Sequence, residues 1–140
     1  MSVERKQVGF SLIEMMTVVA IIAILGSIAY PSYTAYVTRA NRTDAMETMS
    51  EIMNQQQRFV LRNRRYATNL TQLGYGASVV VTNRGLYSIA ASVCGVGVTI
   101  QRCVLLTATP QGAQAGDGSI TINSRGQKQW KGKDGWFHRE

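Results

Sequence analysis

Residues 9–29 read GFSLIEMMTVVAIIAILGSIA, and this stretch decides the fold. From Phe10 to Ala29 it carries a single charge, Glu14. A bilayer core of ~30 Å needs roughly 20 apolar residues at a rise of about 1.5 Å each, so the run has the length of one membrane crossing. Ahead of it lies the polar leader MSVERKQVG with Arg5 and Lys6. By the positive-inside rule that basic flank keeps the amino end in the cytoplasm and places everything after Tyr30 outside. A secretory signal peptide would have a shorter apolar core followed by a small-residue cleavage site. Here the run is too long, and no such site follows it.

Glu14 is the anomaly within the run. An acidic side chain in a membrane segment costs a few kcal/mol on insertion scales and marks a functional position by default. One reading places it near the helix end, where it snorkels to the interface. The other notes that Glu14 lies four residues after Phe10, one helical turn away. A cut after Gly9 would give Phe10 a free ammonium that could neutralise this carboxylate, within one chain or between two copies.

The chain's 140 residues suffice for one domain, and its net charge is +7. Loss of Met1–Gly9 would lower that charge by only one, so the remainder stays basic. A basic balance suits nucleic acid, anionic surfaces or acidic partner subunits without choosing among them. The two cysteines, Cys94 and Cys103, both fall on the side placed outside. In an oxidising compartment such a pair forms a disulfide more readily than a metal site.

Gly26 and Pro31 end the apolar run. Glycine weakens a helix interior, and proline removes one hydrogen bond and clashes with the preceding turn. Two separate helices would satisfy this pattern, but the periodicity resumes at once, so the sequence predicts one helix kinked at these residues. From Ser32 to about Leu61, Val37, Ala40, Ala45, Met46, Met49, Ile52, Met53, Phe59 and Val60 recur at steps of three and four. Arg39, Arg42, Asp44, Glu47, Glu51 and Arg58 lie between them as a solvated face with Glu–Arg pairs at helical spacing. Phe10 to about Leu61 thus reads as one helix on the order of 80 Å long. The stretch Asn63–Leu70 breaks the periodicity, and Gly74 and Gly76 follow, so a loop leaves the helix there. Arg62, Arg64 and Arg65 cluster here and read as a solvated turn, with a binding patch as the alternative.

The remainder reads as strands: Leu86–Cys94, about Thr99–Thr109, the alternating Ser119–Asn123, a turn at Ser124-Arg125-Gly126, and Gln127–Lys131. Val79–Thr82 reads as an extra edge strand. The expected class is α+β: a long kinked amino-terminal helix whose amphipathic half covers an antiparallel sheet of about four strands. Pro110–Gly118 reads as a small-residue loop with no aromatic anchor.

Gly9-Phe10-Ser11-Leu12-Ile13-Glu14, with the apolar run and Tyr30-Pro31-Ser32-Tyr33 behind it, resembles the class III signal of type IV pilins and pseudopilins. That resemblance implies a membrane peptidase that cuts between Gly9 and Phe10 and N-methylates Phe10. It gives Glu14 the role of an assembly charge that pairs with a neighbour's amino terminus. Asn63–Tyr66, Leu106–Gln114 and Asn123–Lys128 further resemble minor pilins of the PilE type. Such pilins often close a carboxy-terminal loop with a disulfide ending just before a late tryptophan. Here the matching places, around Gly118-Ser119 and Asp134-Gly135-Trp136, hold no cysteine. Cys94 and Cys103 instead flank Gly95-Val96-Gly97-Val98, consistent with a staple across a hairpin.

No enzyme signature stands out, and no cofactor or metal is called for. His138 is the only histidine, and Asp117-Gly118 lacks the further oxygen ligands of a calcium loop. Lys128, Trp130, Lys131, Lys133, Trp136, Phe137 and Arg139 interleave cations with aromatics, a pattern that can hold nucleic acid by stacking and phosphate contacts. A last strand that uses Trp130 as core, followed by a solvated tail, explains most of this more simply. The resulting expectation is a type IV minor pilin, a non-enzymatic subunit acting in pilus assembly or priming and in motility, adhesion or DNA uptake. The alternatives are a type II secretion pseudopilin and a DNA-receptor competence pilin. Residues 1–9 would be the cleaved leader, 10–30 the membrane and filament-core half of the helix, and 31–140 the external globular domain. Implied partners are other major and minor pilins, the prepilin peptidase and the inner-membrane assembly platform, with DNA as an alternative. The subunit would wait in the inner membrane, amino terminus in the cytoplasm, before it enters the extracellular pilus.

Overall fold

A computed structural model describes residues 9–135. Arg5 and Lys6 of the leader, and Trp136, Phe137, His138 and Arg139 of the tail, lie outside the described residues. The chain forms two compact units that meet between Val37 and Thr38.

Helix α1 spans Leu12–Asn63 and runs through Gly26 and Pro31 without a break, so the alternative of two helices does not hold. It starts where Ser11 Oγ accepts the backbone N–H of Glu14 at 3.3 Å, satisfying one of the donors that a helix start leaves open. In the first unit its apolar side chains from Leu12 to Tyr36 are all exposed. This part of the helix, with none of it buried, is long and apolar enough to cross a membrane.

In the second unit α1 buries Ala45, Met46, Met49, Ile52 and Met53, the methionine-rich stripe expected from the periodicity. These join Tyr87, Ile89, Val104, Leu106, Ala108, Ile120, Ile122 and Trp130 in one core. Among the described residues the sheet has six antiparallel strands in strictly sequential order: β1 Val80–Val81, β2 Tyr87–Val93, β3 Val104–Pro110, β4 Ile120–Asn123, β5 Lys128–Trp130 and β6 Lys133–Asp134. The register puts apolar residues opposite one another on the helix side: Ile89 with Ala108, Leu106 with Ile122, and Ile120 with Trp130. The sheet exceeds the expected four strands because both edges carry a two-residue strand, and β6 was not anticipated. β3 also begins later than expected. Thr99–Arg102 turns instead of extending, with the N–H groups of Arg102 and Cys103 both donating to Thr99 O at 2.9 and 3.2 Å. Beyond the last pair of the β2–β3 hairpin, Val93 with Val104, Cys94 and Cys103 form a disulfide with Cα atoms 5.6 Å apart.

Candidate functional site

Three places bear on function, the first at the start of α1. Phe10 is 81% exposed, and among the described residues no atom beyond its chain neighbours lies within 4 Å of where a Cβ on Gly9 would stand. The Gly9–Phe10 peptide bond therefore lies open, immediately before the cap at Ser11. Glu14 is exposed in the first turn, where a carboxylate also opposes the positive end of the helix dipole.

The second place is a buried polar network that the sequence did not announce. Arg42 is buried, not solvated as its charge suggested. Its Nε donates to Asp117 Oδ2 at 2.9 Å and its Nη2 to Asp117 Oδ1 at 2.5 Å, a two-pronged ion pair. The Tyr87 hydroxyl donates to Asp117 Oδ2 at 2.6 Å, and Trp130 Nε1 donates to the Asp117 carbonyl at 2.8 Å. Gln114 Nε2 donates to Thr38 O and to the Tyr87 hydroxyl, while its Oε1 accepts from Asn41 Nδ2. Arg84 Nη1 closes the series on Asn41 Oδ1 at 2.8 Å. Burial pushes the Tyr87 hydroxyl well above its ordinary value, and the bond to Asp117 adds to this. Burial also pushes Asp117 upward, but the donors on Arg42, Tyr87 and Gln114 outweigh it and hold the carboxyl below the usual 3.8. The Pro110–Gly118 stretch, expected to lack an aromatic anchor, is therefore tied down. A 3-10 turn at Gly112–Asp117 carries the two residues that Tyr87 and Trp130 hold. Asp117 has no free oxygen for a calcium ion, and among the described residues no group of His, Cys, Asp and Glu gathers to hold a metal. A signal for Arg42 was available. It lies three and four residues before Ala45 and Met46, on the apolar stripe.

The third place is the basic surface. Trp130 is a correction to the expected nucleic-acid contacts: it is 2% exposed, its N–H is taken by Asp117, and Arg42 Cζ lies 3.6 Å from its ring centroid. A ring so covered has no free face on which a base could stack. Lys131 stays exposed but leans over the same ring, with Nζ 4.6 Å from its centroid. Its stem crosses Gly118 so closely that a Cβ there would fall 2.5 Å from Lys131 Cγ. Lys131 and Gly132 both have positive φ, 52° and 73°, which gives the two-residue turn that brings β6 back along β5. Lys128, Lys131, Lys133 and, at the tip of the β4–β5 turn, Arg125 are exposed along this edge, and Arg58, Arg62, Arg64 and Arg65 are exposed around the end of α1.

A family model described as type IV minor pilin ComP, DNA uptake sequence receptor, matches residues 31–121. A model of the prokaryotic N-terminal methylation motif matches residues 5–30. No curated protein matches the chain.

Proposed function

Because the chain belongs to the ComP family of type IV minor pilins, we propose that it is a scarce pilus subunit whose second unit captures extracellular DNA. The observation that carries this reading is the match over residues 31–121 to a family described as a DNA uptake sequence receptor. The exposed cations along β5–β6, with Arg64 and Arg65 just beyond α1, support it, since neutralised phosphates supply most of the sequence-independent affinity for DNA. The full chain in detergent should bind duplex DNA with an affinity that falls linearly on a log–log salt plot, with a slope of about −0.9 for each phosphate neutralised. Changing Lys128 and Lys133 to Gln should make that slope shallower by about 1–2. Absence of binding at low salt would remove the receptor role and leave the pilin assignment standing.

The exposed Gly9–Phe10 junction supports cleavage there by a prepilin peptidase and methylation of Phe10. The apolar helix and the methylation motif fit a pilin anchored in the inner membrane before it joins an extracellular pilus. In the proposed orientation the amino terminus is cytoplasmic, Glu14 guides the subunit into the filament by pairing with a neighbour's amino terminus at the assembly platform, and catalysis plays no part. Intact mass of protein from sheared filaments tests the processing. A chain that begins at methylated Phe10 is expected, and one that begins at Met1 overturns it.

A further inference from the structure

A groove of about 460 Å³ lies at the carboxy-terminal end of α1, between the helix and the 3-10 turn Leu70–Leu73. Arg58 and Arg62 line it, four residues apart and so one above the other on the helix. Amides of Gln55, Asn63 and Gln72 surround them, and Phe59 and Leu73 supply an apolar lining. Neither guanidinium makes an ion pair or side-chain hydrogen bond among the described residues. The helix dipole explains a cation in the last turn, which accounts for Arg62 but not for Arg58.

The row that carries these arginines is polarised. Asp44, Glu47 and Glu51 precede Gln55, Arg58 and Arg62 at steps of three and four along the same side of α1. A duplex laid along this side would meet the exposed carboxylates of Glu47 and Glu51 before it reached the arginines. A short acidic peptide fits better. Its carboxylate can take two-pronged bonds from Arg, its methylenes can rest on Phe59 and Leu73, and its backbone can pair with amides that both donate and accept.

We propose that this groove docks an acidic segment of a neighbouring pilin subunit, a contact that rests on the chain's membership in the pilin family. In a filament built by repeated head-to-tail contacts, each subunit needs one surface that accepts the next, and a carboxylate-binding groove is such a surface. It also separates the two uses of positive charge: the β5–β6 edge faces DNA, while the Arg58–Arg62 groove is reserved for protein.

The test places a photo-crosslinking amino acid at Gln72 in the full-length chain, within cells that make pili, and maps the adducts in sheared filaments by mass spectrometry. The expected result is a crosslink to a pilin peptide that contains Asp or Glu. Arg58→Glu with Arg62→Glu should reduce it roughly tenfold, while Arg58→Lys with Arg62→Lys keeps part of it. Both arginines are exposed, and far-UV circular dichroism checks that each variant folds. Three results overturn the proposal: a crosslink to nucleic acid, a crosslink unchanged by charge reversal, or no crosslink although the chain is present in filaments. A wild-type chain absent from filaments overturns it together with the pilus role, which keeps the two failures distinct.

Discussion

Asp117 shows how one buried charge can hold several elements together. Its side chain meets Arg42 of α1 and Tyr87 of β2, and its carbonyl meets Trp130 of β5. Removing one partner of a buried pair leaves the other charge uncompensated, so Asp117→Asn should cost about 3 kcal/mol in urea unfolding of the full chain in detergent. The pH dependence has a definite sign. The folded carboxyl titrates below its ordinary 3.8, so its stabilisation is complete above about pH 4 and is lost as pH falls through the depressed folded value. The wild type should therefore lose stability below pH 4 more steeply than Asp117→Asn, and a parallel decline in both would deny the pair its role. Gln56 makes a second such point. It is fully buried, donating to Ala67 O at 2.6 Å and accepting from Ala67 N–H at 2.8 Å, and so copies a strand's pairing with a single side chain. Gln56→Ala leaves two buried backbone groups unpaired and should cost about 2–4 kcal/mol by the same measurement.

At the scale of elements, the β2–β3 hairpin is closed by the Cys94–Cys103 disulfide over a sequence separation of 9 residues. A loop this short constrains the unfolded chain modestly, so changing both cysteines to Ser should cost about 2–3 kcal/mol and leave the fold intact. Loss of the whole sheet, seen as collapse of amide protection in β3 and β4, would show that the staple does more than close a hairpin. Much of this level was legible in the sequence. Length and apolarity gave the amino-terminal half of α1, steps of three and four gave its core stripe, and alternation in Ile120–Asn123 gave β4. The polar network escaped because its partners are far apart in the chain. Arg42, Tyr87, Asp117 and Trp130 carry no local pattern, and each was read by its own type, Arg as solvated and Trp130 as both core and contact. Gln56 escaped for the same reason, since a glutamine on a helix looks solvated until the loop that it captures is known. The edge strand β1 falls within the stretch Val79–Thr82 read as an edge, whereas β6, two residues long, is too short for alternation to show.

For the whole molecule, the assignment of Glu14 makes a prediction that no property of the second unit can imitate. Glu14→Val should still be cut before Phe10 yet be missing from sheared filaments, and normal incorporation would count against an assembly role for this carboxylate. The second unit, for its part, has a sheet in which every strand pairs with its neighbour in the chain. Such local pairing is quick to form. The Arg42–Asp117 pair differs, because its members are 75 residues apart. At synthesis rates of about 5–20 residues per second, Arg42 is joined to the chain roughly 4–15 s before Asp117. During that interval the chain can make a helix and a hairpin but cannot lock one onto the other. The domain is therefore a late closer, left open to oxidants and chaperones until nearly its last strand has been made.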